Sequence, residues 1–222
     1  MSTFAVIGAK GKLGRLICEV GKESHTIISI SKEDSLTSIE KTDCIIDVST
    51  VEAMNNTLKY LMEAKLCIPY VVGVTGWQDQ ILFEKYSKTA RILISPNFSP
   101  TVTLFLDLAQ HAAKYLHQLG YTAEISETHH IHKLDKPSGT AKKLADVVSP
   151  IPLTIDSIRE NEVIGLHSVR FVHPKKEDEF IMTHDAKDRK IFARGAILAA
   201  EWLAKCNKKF GLFSMRDVFT QS

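Results

Sequence analysis

Between Glu127 and Ala141 the chain reads Glu-Thr-His-His-Ile-His-Lys-Leu-Asp-Lys-Pro-Ser-Gly-Thr-Ala, placing three of its nine histidines and a lysine within five positions. An imidazole exchanges a proton near neutral pH, and a lysine ammonium is a compact fixed cation. The turn Pro137-Ser138-Gly139-Thr140 follows at once, with Ser138 placed as an N-cap. A helix start presents N–H groups and the positive end of a dipole to an anion. Lys133 and the Gly139–Thr140 turn therefore suit a small planar molecule with two carboxylates, and the histidines suit proton transfer to it. If residues 122–130 form a continuous strand, His130 and His132 share one face and His129 points to the other. A metal site on His130 and His132 has no further ligand at zinc spacing, so no metal is expected. A satisfied histidine cluster without chemistry is the plainer alternative, but it has no need of Lys133 or of the turn beside it.

A second motif, Gly8-Ala-Lys-Gly11-Lys-Leu-Gly14, joins a short apolar run at 3–7 to a helical pattern at about 13–20. Glycines in a first strand-to-helix turn permit a tight bend and close approach of a pyrophosphate. A lone glycine motif is weak, but its position makes Gly8, Lys10, Gly11, Lys12, Leu13 and Gly14 candidates for binding a dinucleotide. Cofactor choice falls roughly 20 residues further on, at Ser31 and Lys32. A hydroxyl plus a cation suits the 2′-phosphate of NADPH, whereas Glu33 and Asp34, one register slip away, would suit the ribose hydroxyl of NADH. The order of these residues favours NADPH.

Further β-rich runs at 26–30, 44–48, 70–74 and 92–94 alternate with helical patterns at 51–63 and 78–88, the signature of a parallel sheet covered on both faces. Beyond Pro96–Pro100 the pattern changes. A long amphipathic helix over 101–118 leads to a strand at 122–127, a helix at 138–148, antiparallel-type strands at 168–173 and 179–184, and a closing helix at about 195–205. The expected fold is α/β, an N-terminal Rossmann-like dinucleotide domain plus a smaller α+β unit with a mixed sheet. The 222 residues suffice for two small domains. With 24% charged residues and a net charge of +2, a nucleic-acid or membrane-surface role gets no support. The apolar runs are too short to span a bilayer. Cys18, Cys44, Cys67 and Cys206 lack framework spacing and suit the reduced thiols of a cytoplasmic protein.

The stretch 127–141 resembles the signature of the dihydrodipicolinate reductase family, of the diaminopimelate and lysine pathway, and the resemblance covers nearly the whole chain. Gly8–Gly14 resembles that family's nucleotide turn and Gly73-Val-Thr-Gly76 its nicotinamide-side loop. Ser95-Pro-Asn-Phe-Ser99 is similar to its inter-domain hinge, and Gly211-Leu-Phe-Ser-Met-Arg-Asp217 to its closing segment. The resemblance implies reduction of a cyclic dicarboxylate, 4-hydroxy-tetrahydrodipicolinate, by NADH or NADPH. It implies His129 as proton donor, Lys133 as the charge-balancing cation and His130 as an orienting group. Gly139 and Thr140 would hold a carboxylate, with Thr75 nearby, while Gly73, Thr75, Pro96 and Phe98 would line the nicotinamide end. Also implied are a homotetramer built through the second domain's sheet, and a division into 1–99 with 196–222 packing back on it, and 100–195. Three departures stand out: the chain is short for the family, Val74 replaces a usual threonine, and Pro100-Thr101 occupies the place of a more flexible hinge. Another two-domain dehydrogenase or a non-enzymatic dinucleotide sensor would share the glycine turn but would not need 127–141.

Overall fold

A computed structural model describes residues 1–77 and 80–220. The chain divides into two compact units, one formed by Met1–Ser99 with the segment from Lys190 onward, the other by Pro100–Arg189. The return therefore begins earlier than the expected 196, because the helix reaches back to Lys190.

In the first unit, strands β1 (Thr3–Ile7), β2 (Thr26–Ile30), β3 (Cys44–Asp47), β4 (Tyr70–Val72), β5 (Arg91–Ile94) and β10 (Gly211–Phe213) form one sheet in the order β10-β5-β4-β3-β1-β2. Every pairing is parallel. Buried on both faces, these strands are short and almost wholly apolar, as such sheets require. Phe4, Val6, Cys44, Ile46, Val71 and Leu93 pack on one side, beneath helices α1 (Lys12–Gly21) and α6 (Lys190–Lys205). Ala5, Ile7, Ile45, Tyr70, Val72 and Ile92 pack on the other, beneath α2 (Val51–Glu63) and α3 (Ile81–Tyr86). Of the helix expected over 78–88, residues 78 and 79 lie outside the described residues. A 3-10 turn at Leu36–Ile39 is the only helical element between β2 and β3. From β1 the chain passes to β2 on one side and to β3 on the other, so the strand order reverses between β1 and β3. Ligands of open α/β sheets bind at such a switch point, outside the strands' carboxyl ends.

The second unit carries a mixed sheet in the order β7-β6-β8-β9. β6 (Thr122–His129) runs parallel to β7 (Leu153–Arg159) and antiparallel to β8 (Gly165–Val172), which pairs antiparallel with β9 (Glu179–Ala186). Helices α4 (Pro100–Gln118) and α5 (Gly139–Val148) cover one face, burying Phe105, Ala109, Ile125, Leu144, Val169 and Phe171. Pro100 opens α4, where a fixed φ and a missing N–H cost nothing. The parallel sheet and the second, mixed sheet are those expected. β7 was not foreseen, and it brings the arginine discussed below.

Candidate active site

At the switch point, Gly8 follows β1 with φ +82°, a conformation that suits glycine. A Cβ on Gly8 would fall 2.8–2.9 Å from the backbone of Val48 and Ser49 after β3. One on Gly14 would fall 2.1 Å from the Gly8 carbonyl oxygen. Gly11 donates its N–H to that same carbonyl at 2.9 Å and is the N-cap of α1. The turn is thus closed on itself and brings the start of α1 to the ends of β1 and β3, a geometry fitted to a pyrophosphate. A cleft of about 560 Å³ lies here, with Gly8, Lys10, Gly11, Ser31, Lys32 and Ser49 among its lining residues. Lys12 and Leu13 fall outside that lining, and Leu13 packs against the core while Gly14 is buried within α1.

The choosing end of the cleft differs from its reading as a hydroxyl and a cation. Ser31 Oγ donates to Asp34 at 2.6 Å and to Glu33 at 3.0 Å, while Lys10 Nζ reaches Glu33 at 3.1 Å. Hydrogen bonds from Lys10 and Ser31 hold the Glu33 carboxyl below its usual range, and the Ser31 hydroxyl does the same for Asp34. Both acids are anions at neutral pH.

After β4, Gly73 leaves room for the Phe98 ring, which would lie 2.5 Å from a Cβ there. Phe98 itself is a core residue, 2% exposed, so it supports the Gly73 backbone from beneath rather than forming an open wall. Thr75 and Pro96 are exposed on the loops that follow β4 and β5.

In the second unit β6 ends at His129, so the expected face shared by His130 and His132 does not arise from a strand. Ile131 donates instead to the Asn161 carbonyl at 3.2 Å, and Lys133 N to the His130 carbonyl at 3.1 Å, which turns the chain. His129 is buried, and its Nδ1 lies against Glu127, two positions back on the same face of the strand. Glu127, fully buried, also accepts from Arg159 Nη1 at 2.9 Å and from Ser138 N at 3.3 Å. Burial opposes its ionisation, but the Arg159 guanidinium and His129 outweigh this and keep its carboxyl below the usual range. A carboxylate on Nδ1 fixes the tautomer and leaves Nε2 as the working nitrogen. Gly165 keeps that edge clear, since a Cβ there would come within 3.2 Å of Nε2. Burial lowers the His129 pKa, with Glu127 pulling the other way.

Lys133 Nζ pairs with Asp135 at 2.7 Å on the loop leading to α5. Ser138 caps α5, its Oγ accepting from Ala141 N at 3.1 Å and contacting His167 Nε2 at 3.2 Å. Gly139, with open space where a Cβ would stand, and Thr140 form the first turn of α5. His130, half-buried, lies with its ring 6.1 Å from that of the exposed His132. The second unit therefore brings together His129, Lys133 and the start of α5, while Thr75 belongs to the first unit.

Glu127, Arg159 and His167 were given no role from the sequence. Residues 157 and 167 both stand opposite Glu127 across the sheet, and Arg159 stands opposite His129, pairings visible only once the register is known. Ligand atoms of Glu127, His129 and His167 lie within 4.8 Å of one another. Arg159 already balances the carboxylate and Ser138 already engages His167, so the trio forms a hydrogen-bonded network. Burial pushes His167 down to about 4 from 6.5. The unfolded chain then takes up this proton first as pH falls. The stability that His167 contributes is complete above about pH 6.5 and lost progressively toward pH 4, roughly 3 kcal/mol. We expect denaturant titrations of His167→Gln to show a shallower loss of stability across that window than the wild-type protein does; equal slopes would contradict the assignment.

Residues 3–98 match the family model described as dihydrodipicolinate reductase, N-terminus, and residues 101–219 its C-terminus. The 4-hydroxy-tetrahydrodipicolinate reductase of Archaeoglobus fulgidus is 31% identical over 259 aligned positions, covering 96% of this chain and 98% of that protein. Its counterpart from Thermosipho africanus is 34% identical over 223 positions, covering 99% and 98%. That alignment runs at essentially this chain's own length, so the short form is shared with a relative. A dipicolinate-bound dihydrodipicolinate reductase from Paenisporosarcina sp. TG-14 superposes with a TM-score of 0.78 at 20% identity, over 96% of this chain and 97% of that one. Aspartate semialdehyde dehydrogenase II of Vibrio cholerae shares the fold more distantly, with a TM-score of 0.57 at 10% identity over 94% of this chain and all of that one. Both halves of the chain match: the chain belongs to the dihydrodipicolinate reductase family of NAD(P)H-dependent oxidoreductases.

Proposed function

We propose that this chain reduces 4-hydroxy-tetrahydrodipicolinate to tetrahydrodipicolinate in the diaminopimelate and lysine pathway. The observation that supports it most is the buried Glu127–His129 pair, held beside the Lys133 loop and the start of α5 in a chain of this family. The reduced nicotinamide supplies the hydride. Lys133 and the Gly139–Thr140 turn receive the two substrate carboxylates, and His130 orients the ring. Held in this way, the reacting groups gain the advantage of proximity, about 7–11 kcal/mol in the most favourable intramolecular systems. Loss of the 4-hydroxyl as water, with a proton from the neighbouring ring carbon, leaves a conjugated imine; as hydride adds to it, negative charge grows on the ring and His129 Nε2 delivers a proton to it. Glu127 stabilises the imidazolium that must form first.

Gly8, Gly11 and Gly14 shape the cofactor's phosphate site with Lys10 and Lys12 near it, and Gly73, Thr75, Pro96 and Phe98 support the nicotinamide end. On this reading NADH is the preferred donor. The Ser31 hydroxyl that suited a 2′-phosphate is taken by two ionised carboxylates, and Glu33 also claims Lys10. A 2′-phosphate would enter against both acids, whereas a ribose hydroxyl could donate to either. The assembly we propose is a homotetramer through the face of the second sheet that α4 and α5 leave open, where Ile158 and Ile181 are exposed. No helix among the described residues is long and apolar enough to cross a membrane; the proposed reaction belongs in the cytoplasm.

The test is a coupled assay. Aspartate semialdehyde, pyruvate and the upstream synthase generate substrate in place, and loss of reduced nicotinamide absorbance is followed with NADH and NADPH separately. Oxidation should require both the synthase and this protein, with KM for NADH about tenfold below that for NADPH, a difference of 1.4 kcal/mol. Binding of either donor without oxidation would refute the substrate assignment. Equal KM values would refute the donor preference alone.

A further inference from the structure

Arg159 touches both the carboxylate behind His129 and the loop that carries Lys133. It ends β7, and its side chain is only 14% exposed. Nη1 donates to Glu127 Oε1 at 2.9 Å and to the Ile158 carbonyl at 2.7 Å. Nε donates to the Lys133 carbonyl at 3.2 Å, and Nη2 to the Asp135 carbonyl. The planar fork of the guanidinium makes all four contacts possible from one group, which an ammonium could not do. Glu127 in turn holds His129 Nδ1, and residues 133–135 carry the Lys133–Asp135 pair.

We propose that Arg159 is a positioning residue that couples the two catalytic groups, fixing the charge on the carboxylate behind His129 and the path of the loop that carries Lys133. This rests on the reductase reading for its catalytic consequence, but the coupling itself is a property of the site. Four charged or titratable groups face His129: Glu127 from its own strand, Arg159 from β7, His167 from β8, 4.9 Å away ring to ring, and Lys133 from the loop. Glu127 favours the imidazolium, while Arg159 and Lys133 disfavour it. Without Arg159 the carboxylate is left uncompensated and acts on His129 at full strength.

The experiment pairs Arg159→Met with Arg159→Lys and reads two things. The His129 ring is titrated by NMR without substrate, and kcat/KM is measured across pH. In Arg159→Met the His129 titration should move up by about one unit, the scale of a lost neighbouring charge. The basic limb of kcat/KM should move with it, and KM for the dicarboxylate should rise about tenfold as the Lys133 loop loses its carbonyl anchors. Arg159→Lys keeps the charge but not the fork, so its titration should stay at the wild-type position while KM still rises. An unmoved titration in Arg159→Met, or wild-type KM in Arg159→Lys, overturns the proposal. If Arg159→Met does not fold, the split in Arg159→Lys decides alone. An inactive wild-type protein would defeat the reductase reading, and the NMR titration would still test the coupling.

Discussion

Replacing His129 by glutamine should lower kcat at least about a hundredfold while leaving nucleotide affinity unchanged, general acid catalysis being worth about 10²–10⁴ in rate. The geometry explains why glutamine is informative. Its amide can still donate to Glu127, so the ion network with Arg159 survives, but nothing can give up a proton where Nε2 stood. The cofactor turn lies in the other unit and is untouched. Single-turnover kinetics with either donor would measure the loss directly. Nearly wild-type turnover would remove His129 from the acid role and leave Lys133 or a solvent molecule as the donor.

The second large effect belongs to Gly14→Ala. A methyl group there would stand 2.1 Å from the Gly8 carbonyl oxygen, 2.8 Å from its carbon and 2.9 Å from Ala9 Cα. These are backbone atoms and cannot swing aside like the end of a side chain. Overpacking ordinarily costs about 1–3 kcal/mol, and relief here would mean moving the start of α1 off the ends of β1 and β3. Affinity for NADH should therefore fall at least about tenfold, measured by calorimetry, since phosphate recognition at a helix start depends on that placement. The second unit should keep its His129 titration. Unchanged nucleotide affinity in a folded Gly14→Ala variant would mean that the cofactor's phosphates sit elsewhere.

Much of this architecture was legible in the residues themselves. Five of the six parallel strands are short apolar runs set off by turn residues, and the glycine turn follows the first of them. α5 announced itself through Ser138, which caps it as expected. What could not be read followed from tertiary packing. Residues 153–159 alternate Leu, Thr, Ile, Asp, Ser, Ile and Arg after two prolines, too polar a run to stand out, and with β7 unseen Arg159 had no address. His167 lies far along the chain from His129, and only the β6–β8 register brings it behind the site. Gly195 looked like the start of the last helix, since glycine weakens helices in isolation. In the fold it is buried with Ala193, Ala196, Ala199 and Ala200, where small residues let α6 approach its neighbours closely. Ser31 and Lys32 line the cleft, but the hydrogen-bond partners of Ser31 depend on how the loop folds back.

The first unit is interrupted in sequence by the second, and its sheet ends with a strand, β10, that pairs with β5 from the far end of the chain. On a ribosome this inverts the usual order, in which N-terminal domains fold first. The unit spanning Pro100–Arg189 has all its residues available early and can collapse while synthesis continues. The side of the parallel sheet that receives Leu203 and Phe213 stays unfinished until those residues emerge. The unit that carries the glycine turn is thus the last to be completed as the chain is made, although its turn is among the first residues to emerge.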